Sequence, residues 1–176
     1  MNNSRNVWIL IGIILALSVA FGRMFLFSSD DKIKYDGMDT VENYSSNTIF
    51  PQGDKASADY FTGTAWVKLL VPNDTVSHCQ IGNVVFEPGA RNNWHTHPGG
   101  QILMVTDGVG YYQEKGKPVH VIRKGDVVNI LPNVEHWHGA SADSSMTHIA
   151  VNANTQNGIV TWLEKVTDDE YHAIKK

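Results

Sequence analysis

The sequence predicts one all-β domain, an antiparallel sandwich or a small barrel. Two observations carry this. From Ala65 onward, short runs rich in Val, Ile, Tyr and Trp follow one another. Between them stand turn-forming pairs: Pro72-Asn73, Pro88-Gly89, Asp107-Gly108, Lys115-Gly116 and Lys124-Gly125. Short strands at regular spacing with glycine-bearing turns suit sheets that pack face to face or close on themselves.

Taken in chain order, the first 27 residues stand apart. Val7 to Gly22 carries no charge and consists mainly of Ile, Leu, Val and Ala. Met24 to Phe27 extends the apolar stretch to about the 20 residues a membrane span needs. The expectation is a hydrophobic N-terminal helix, either a signal anchor or a cleaved signal peptide with Ser18-Val19-Ala20 as its processing site. Either form places the remainder outside the cytoplasm, membrane-anchored on the periplasmic side or soluble in the periplasm. Residues 28–59 are polar and interrupted by Gly37, Pro51 and Gly53, and read as a tether or arm. Residues 60–174 form the expected folded domain.

Within that domain the expected strands are Trp66–Val71, His78–Phe86, Gln101–Thr106, Val109–Gln113, Val119–Ile122, Asp126–Leu131, Met146–Val151 and Ile159–Trp162. Cys79, the one cysteine, lies in an apolar alternating run and is expected to be a small buried residue. One cysteine excludes an internal disulfide and a CxxC motif. A short helix is expected over Asp168–Ile174, with Thr167 as its N-cap. The net charge of −4, with basic residues scattered, gives no basis for nucleic-acid binding.

Histidine placement carries the chemistry. In a strand, residues i and i+2 share a face. His95 and His97 therefore point one way and Thr96 the other; His136 and His138 form a second such pair about Trp137. His148 lies in a further strand. Neutral imidazoles side by side on an inward face make part of a metal site, and Gln101, after the turn Pro98-Gly99-Gly100, can bring an amide oxygen to the same point. Taken alone, an HxH pair is often only a solvated strand face. Trp94 and Trp137 flank the histidines but point away from them, toward packing between sheets or a dimer contact. His78, His120 and His172 read as surface residues.

These motifs resemble the cupin superfamily. The first cupin motif maps onto Gly89, His95, His97, Gln101 and Gly108 with every spacing kept and Gln101 in place of the usual Glu. The second maps onto Gly125, Leu131, Asn133, His136 and Ala140, departing from the usual residues at Leu131, Asn133 and Ala140. Asn133 can take the left-handed conformation that a glycine supplies there. "FEPGARNNWHTHPGGQ", "HWHGA" and "MTHIA" are similar to small bacterial cupins that include manganese-dependent hydroxynitrile lyases, a set that also holds cupins associated with carboxymuconolactone decarboxylase names. That decarboxylase chemistry belongs to another fold and is not inherited.

The resemblance implies a cupin β-barrel (jelly roll). It implies one divalent ion, manganese by likeness with zinc, iron or nickel as alternatives, on His95, His97, Gln101 and His136. It implies His148 as the catalytic base and Asn152, Val84 and His138 as pocket residues. For His148 the alternative is a core histidine, and for His138 a hydrogen-bonded residue behind the ligands. The expected partners are a small-molecule substrate, the membrane through the N-terminal segment, and a second copy in a homodimer. An amide, unlike Glu, leaves the ion's double charge undiminished and so makes it a stronger Lewis acid. The function implied is a metal-dependent lyase on a small hydroxylated compound, with carbon–carbon cleavage of the hydroxynitrile-lyase type. A non-catalytic metal or small-ligand binding module and an iron-dependent dioxygenase stand as alternatives.

Overall fold

A computed structural model describes residues 49–173. The hydrophobic N-terminal segment, and the membrane association expected of it, lie outside the described residues. Among the described residues no helix is long and apolar enough to cross a membrane.

The described residues form twelve strands: β1 (Asp54–Lys55), β2 (Phe61–Thr62), β3 (Ala65–Val71), β4 (Cys79–Phe86), β5 (Arg91–Asn92), β6 (His95–Thr96), β7 (Gln101–Glu114), β8 (His120–Arg123), β9 (Val127–Ile130), β10 (His136–Ala140), β11 (Met146–Ala153) and β12 (Thr161–Trp162). All pairings are antiparallel. The main path runs β1-β3-β4-β11-β7-β10-β5-β2, with β8 and β9 also on β7, and β6 joining β10 to β12. The sheet curls because β7 serves both halves. Its first residues pair with β9 and β11, its last with β8 and β10.

Alternation sets the inside. On β7, Gln101, Leu103 and Val105 are buried while Ile102 and Met104 are exposed. Phe86, Leu103, Val105, Ile122, Ile130 and Met146 fill the barrel core. Trp94, Trp137, Val166 and Tyr171 make a second cluster on the outer side of the histidine strands. There the tryptophans pack beneath the C-terminal segment. Helix α1 (Asp168–His172) closes that segment. Thr167 caps it in a capping box with Glu170, and the buried Arg91 ties it down through Asp168 and the Val166 carbonyl. The Tyr171 hydroxyl donates to the Ala140 carbonyl at 2.8 Å.

The structure differs from the sequence expectations at several places, the short strands β2 and β5 among them. Asp107-Gly108 is not a turn; β7 runs through it with a bulge opposite Thr147/His148. The extra residue is Thr106; Gly108, paired with Met146, adopts φ 76°, and a Cβ there would strike the Ser145 carbonyl, so a glycine is needed where β7 passes Ser145. The end of the expected arm joins the sheet, with Asp54 and Lys55 opposite Val67 and Trp66. The Pro51 carbonyl also accepts from Asn83. Cys79 is half-buried, because it opens β4 at the rim. The helix is described only to His172, with Ala173 as its C-cap. Asn133 has φ 61°, the conformation expected of it.

Candidate metal centre and cavity

β6, β10 and β12 lie side by side, and their register sets His136 opposite His95 and His95 opposite Trp162. The indole of Trp162 lies 4.9 Å from the His95 ring. The ring of His95 lies 5.1 Å from that of His97 and 4.1 Å from that of His136, and His97 lies 5.6 Å from His136. Gln101 opens β7 beside them. The four residues expected as ligands therefore meet in one place, and all are buried.

Backbone carbonyls fix the tautomers. A carbonyl only accepts, so each Nδ1 beside one must donate. His95 Nδ1 donates to Asn93 at 2.9 Å, His97 Nδ1 to Ile159 at 2.5 Å and His136 Nδ1 to Val134 at 2.9 Å. In a neutral ring this leaves Nε2 as a bare lone pair. Burial pushes all three imidazoles below their ordinary pKa, that of His136 to about 4, with the neighbouring histidines also acting on His95. They are neutral at physiological pH, which is the ligating form.

Two details test whether a cation fits. His97 Nε2 is buried without a partner. His136 Nε2 faces Gln101 Oε1 at 3.3 Å, and the Gln101 amide nitrogen is turned away, donating to Asn152 Oδ1 at 2.9 Å. Two acceptors face each other with no proton between them. Such an arrangement fits a positive ion held by both. Three imidazole nitrogens and one amide oxygen suit a transition-series divalent ion.

His138 stands in the same group: ligand atoms of His95, His136 and His138 lie within 4.8 Å of one another. Its Nε2, however, receives the Asn92 amide at 3.0 Å, and its backbone N–H donates to Asn92 Oδ1 at 2.9 Å. Asn92 thus occupies the lone pair that a metal would need. Burial holds His138 well below its usual pKa.

His148, on β11, is completely buried and neither ring nitrogen has a hydrogen-bond partner. It lies 4.8 Å from the His138 ring and 5.8 Å from Phe86, and burial pushes its pKa to about 4. His148, His138, Val84 and Asn152 all line a cavity of about 270 Å³ that also reaches His95, His97 and Gln101. Most of its remaining wall is apolar: Phe61, Val67, Leu69, Ala150, Val160 and Trp162. A small organic molecule with one polar end suits this space.

Sequence reasoning missed four contributors: Gln80, Asn92, Ile159 and Trp162. Gln80 is in register with inward residues of β4, so alternation from Val84 could have found it. Asn92, Ile159 and Trp162 act through long-range register, which no local signal carries.

The cupin domain family model matches residues 82–152. The chain is 44% identical over 117 residues to an (R)-mandelonitrile lyase of Granulicella tundricola, covering 66% of this chain and 89% of that protein. The structure of a cupin-like protein from Thermotoga maritima is similar with a TM-score of 0.72 and 51% identity, covering 74% of this chain and 98% of that one. A DMSP lyase from Ruegeria pomeroyi, at 16% identity and a TM-score of 0.52 over 69% of this chain and 62% of its own, shares the fold alone. With a curled antiparallel barrel, five of its eight histidines gathered inside and a close relative matched over nearly its whole length, the chain belongs to the cupin superfamily.

Proposed function

We propose that the chain is a divalent-metal-dependent lyase that cleaves a small hydroxylated compound, as a hydroxynitrile lyase does. The observation that carries this is His148: a neutral, unpartnered imidazole in a largely apolar cavity that His95, His97 and Gln101 also line. The identity with a mandelonitrile lyase supports it. His95, His97, Gln101 and His136 are the residues that would hold the ion, with manganese the choice by likeness. A bound divalent ion supplies Lewis acidity, which lowers the pKa of a hydroxyl beside it.

His148 then takes the hydroxyl proton. Its pKa of about 4 makes it a weak base, suited to a hydroxyl whose acidity a bound ion would raise. The alcohol oxygen becomes a carbonyl as the carbon–carbon bond breaks, and the electron pair leaves with the cyanide carbon. The imidazolium returns its proton to cyanide, so aldehyde and hydrogen cyanide are released and His148 is neutral again. The apolar wall excludes water that would compete for that proton. The hydrophobic N-terminal run supports a location outside the cytoplasm, anchored at the membrane.

The test is release of benzaldehyde from mandelonitrile by manganese-loaded protein. His148→Ala should lower turnover by about a hundredfold or more, the usual contribution of a positioned acid–base group, with metal content unchanged. No cleavage of mandelonitrile or of aliphatic cyanohydrins by fully loaded wild type would refute the reading.

A further inference from the structure

Three amides lie in one row across three adjacent strands. On β4, β11 and β7 the register sets Gln80 opposite Asn152 and Asn152 opposite Gln101. Gln101 Nε2 donates to Asn152 Oδ1 at 2.9 Å, and Asn152 Nδ2 donates to Gln80 Oε1 at 3.2 Å. Gln80 is half-buried and lines the cavity.

An amide can face either way, but in this row one flip forces the others. If Asn152 alone turned, it would set oxygen against oxygen toward Gln80 and nitrogen against nitrogen toward Gln101. The row therefore has two consistent states. In the one observed, Gln101 offers its oxygen beside His136 Nε2 at 3.3 Å. In the reverse, Gln101 would turn its N–H₂ onto that nitrogen, satisfy it, and withdraw the oxygen. Whatever residue 80 presents to Asn152 selects between them.

We propose that Gln80 is a positioning residue: by presenting an acceptor to Asn152, it holds Gln101 with its oxygen toward the metal centre. This rests on the reading of Gln101 as a ligand. Gln80 itself touches none of the four ligands through a hydrogen bond among the described residues. Its influence passes through Asn152.

The experiment measures manganese affinity of the full-length protein by calorimetry, with no catalytic readout. Gln80→Glu, an acceptor only, should tighten binding, and Gln80→Lys, a donor only, should weaken it. Each change should be about fivefold, the equilibrium equivalent of one net hydrogen bond. Both carry charge, so both are repeated in an Asn152→Leu background, where the row is cut. The relay is supported if the effects shrink toward unity there, and overturned if they persist unchanged or were absent from the start. Gln101→Ala separates the two readings. If it leaves affinity unaltered, Gln101 is no ligand and both ideas fail. If it weakens binding while the residue-80 effects survive the cut, only the relay fails.

Discussion

Without a bound ion, a domain that seals so many neutral imidazoles inside should be unstable in mild acid. Burial pushes His136 and His148 each to about 4. In the unfolded chain both return to about 6.5. Between those values the unfolded chain binds more protons than the fold, so stability falls as pH falls. The contribution is fully present above about pH 6.5 and is lost as pH drops through about 4. At about pH 5 each histidine removes on the order of 2 kcal/mol relative to about pH 7.5, so the pair removes about 4. For a domain of this size that is a drop in Tm of about 10–20 °C. His95 and His138, pushed down by burial as well, act in the same direction. The assay is thermal unfolding of chelator-treated protein, followed by circular dichroism at the two pH values. His148→Leu should shrink the drop, since one titrating group is gone. Equal Tm at both pH values would show that the buried rings do not hold neutral against protonation, and the reasoning would fail.

Two further outcomes are expected. Gln101→Glu should retain one ion per chain but lower mandelonitrile turnover by at least about tenfold, because the carboxylate offsets charge that the amide leaves in place; elemental analysis beside turnover checks both halves. Tyr171→Phe should cost about 1–2 kcal/mol in urea unfolding, since it leaves the buried Ala140 carbonyl without its hydroxyl partner, and should leave metal affinity unchanged.

Much of the fold was legible because its long strands alternate. β3, β4, β9 and β11 carry apolar residues with turn chemistry on either side, and their positions follow within a residue or two. β5 was not legible as an element, and β6 was legible only through the spacing of His95 and His97. Arg91-Asn92 and His95-Thr96 have no strand composition; they are strands because Gly139 and His136 pair with them. Asp107-Gly108 misled for a related reason. The same dipeptide suits a hairpin turn or a strand that passes close to another backbone, and here Asp107 and Gly108 pair with Thr147 and Met146, far along the chain. The site was half legible. Spacing two apart put His95 with His97 and His136 with His138, but nothing local could say that Asn92 occupies His138 or that Trp162 covers His95.

The carbonyl that orients His97 belongs to Ile159, 62 residues further along. The indole over His95 comes three residues after that. By the time His136 has been synthesised, every proposed ligand is in the chain, yet His97 still lacks the acceptor that sets its tautomer. A nascent chain halted before residue 159 would carry both histidine motifs intact and offer an ion only a loosely held array. The ordering of the site is thereby tied to the synthesis of residue 159 rather than to the arrival of its last proposed ligand, and a C-terminal truncation that spares all four of those residues but removes Ile159 would still leave the site unfinished.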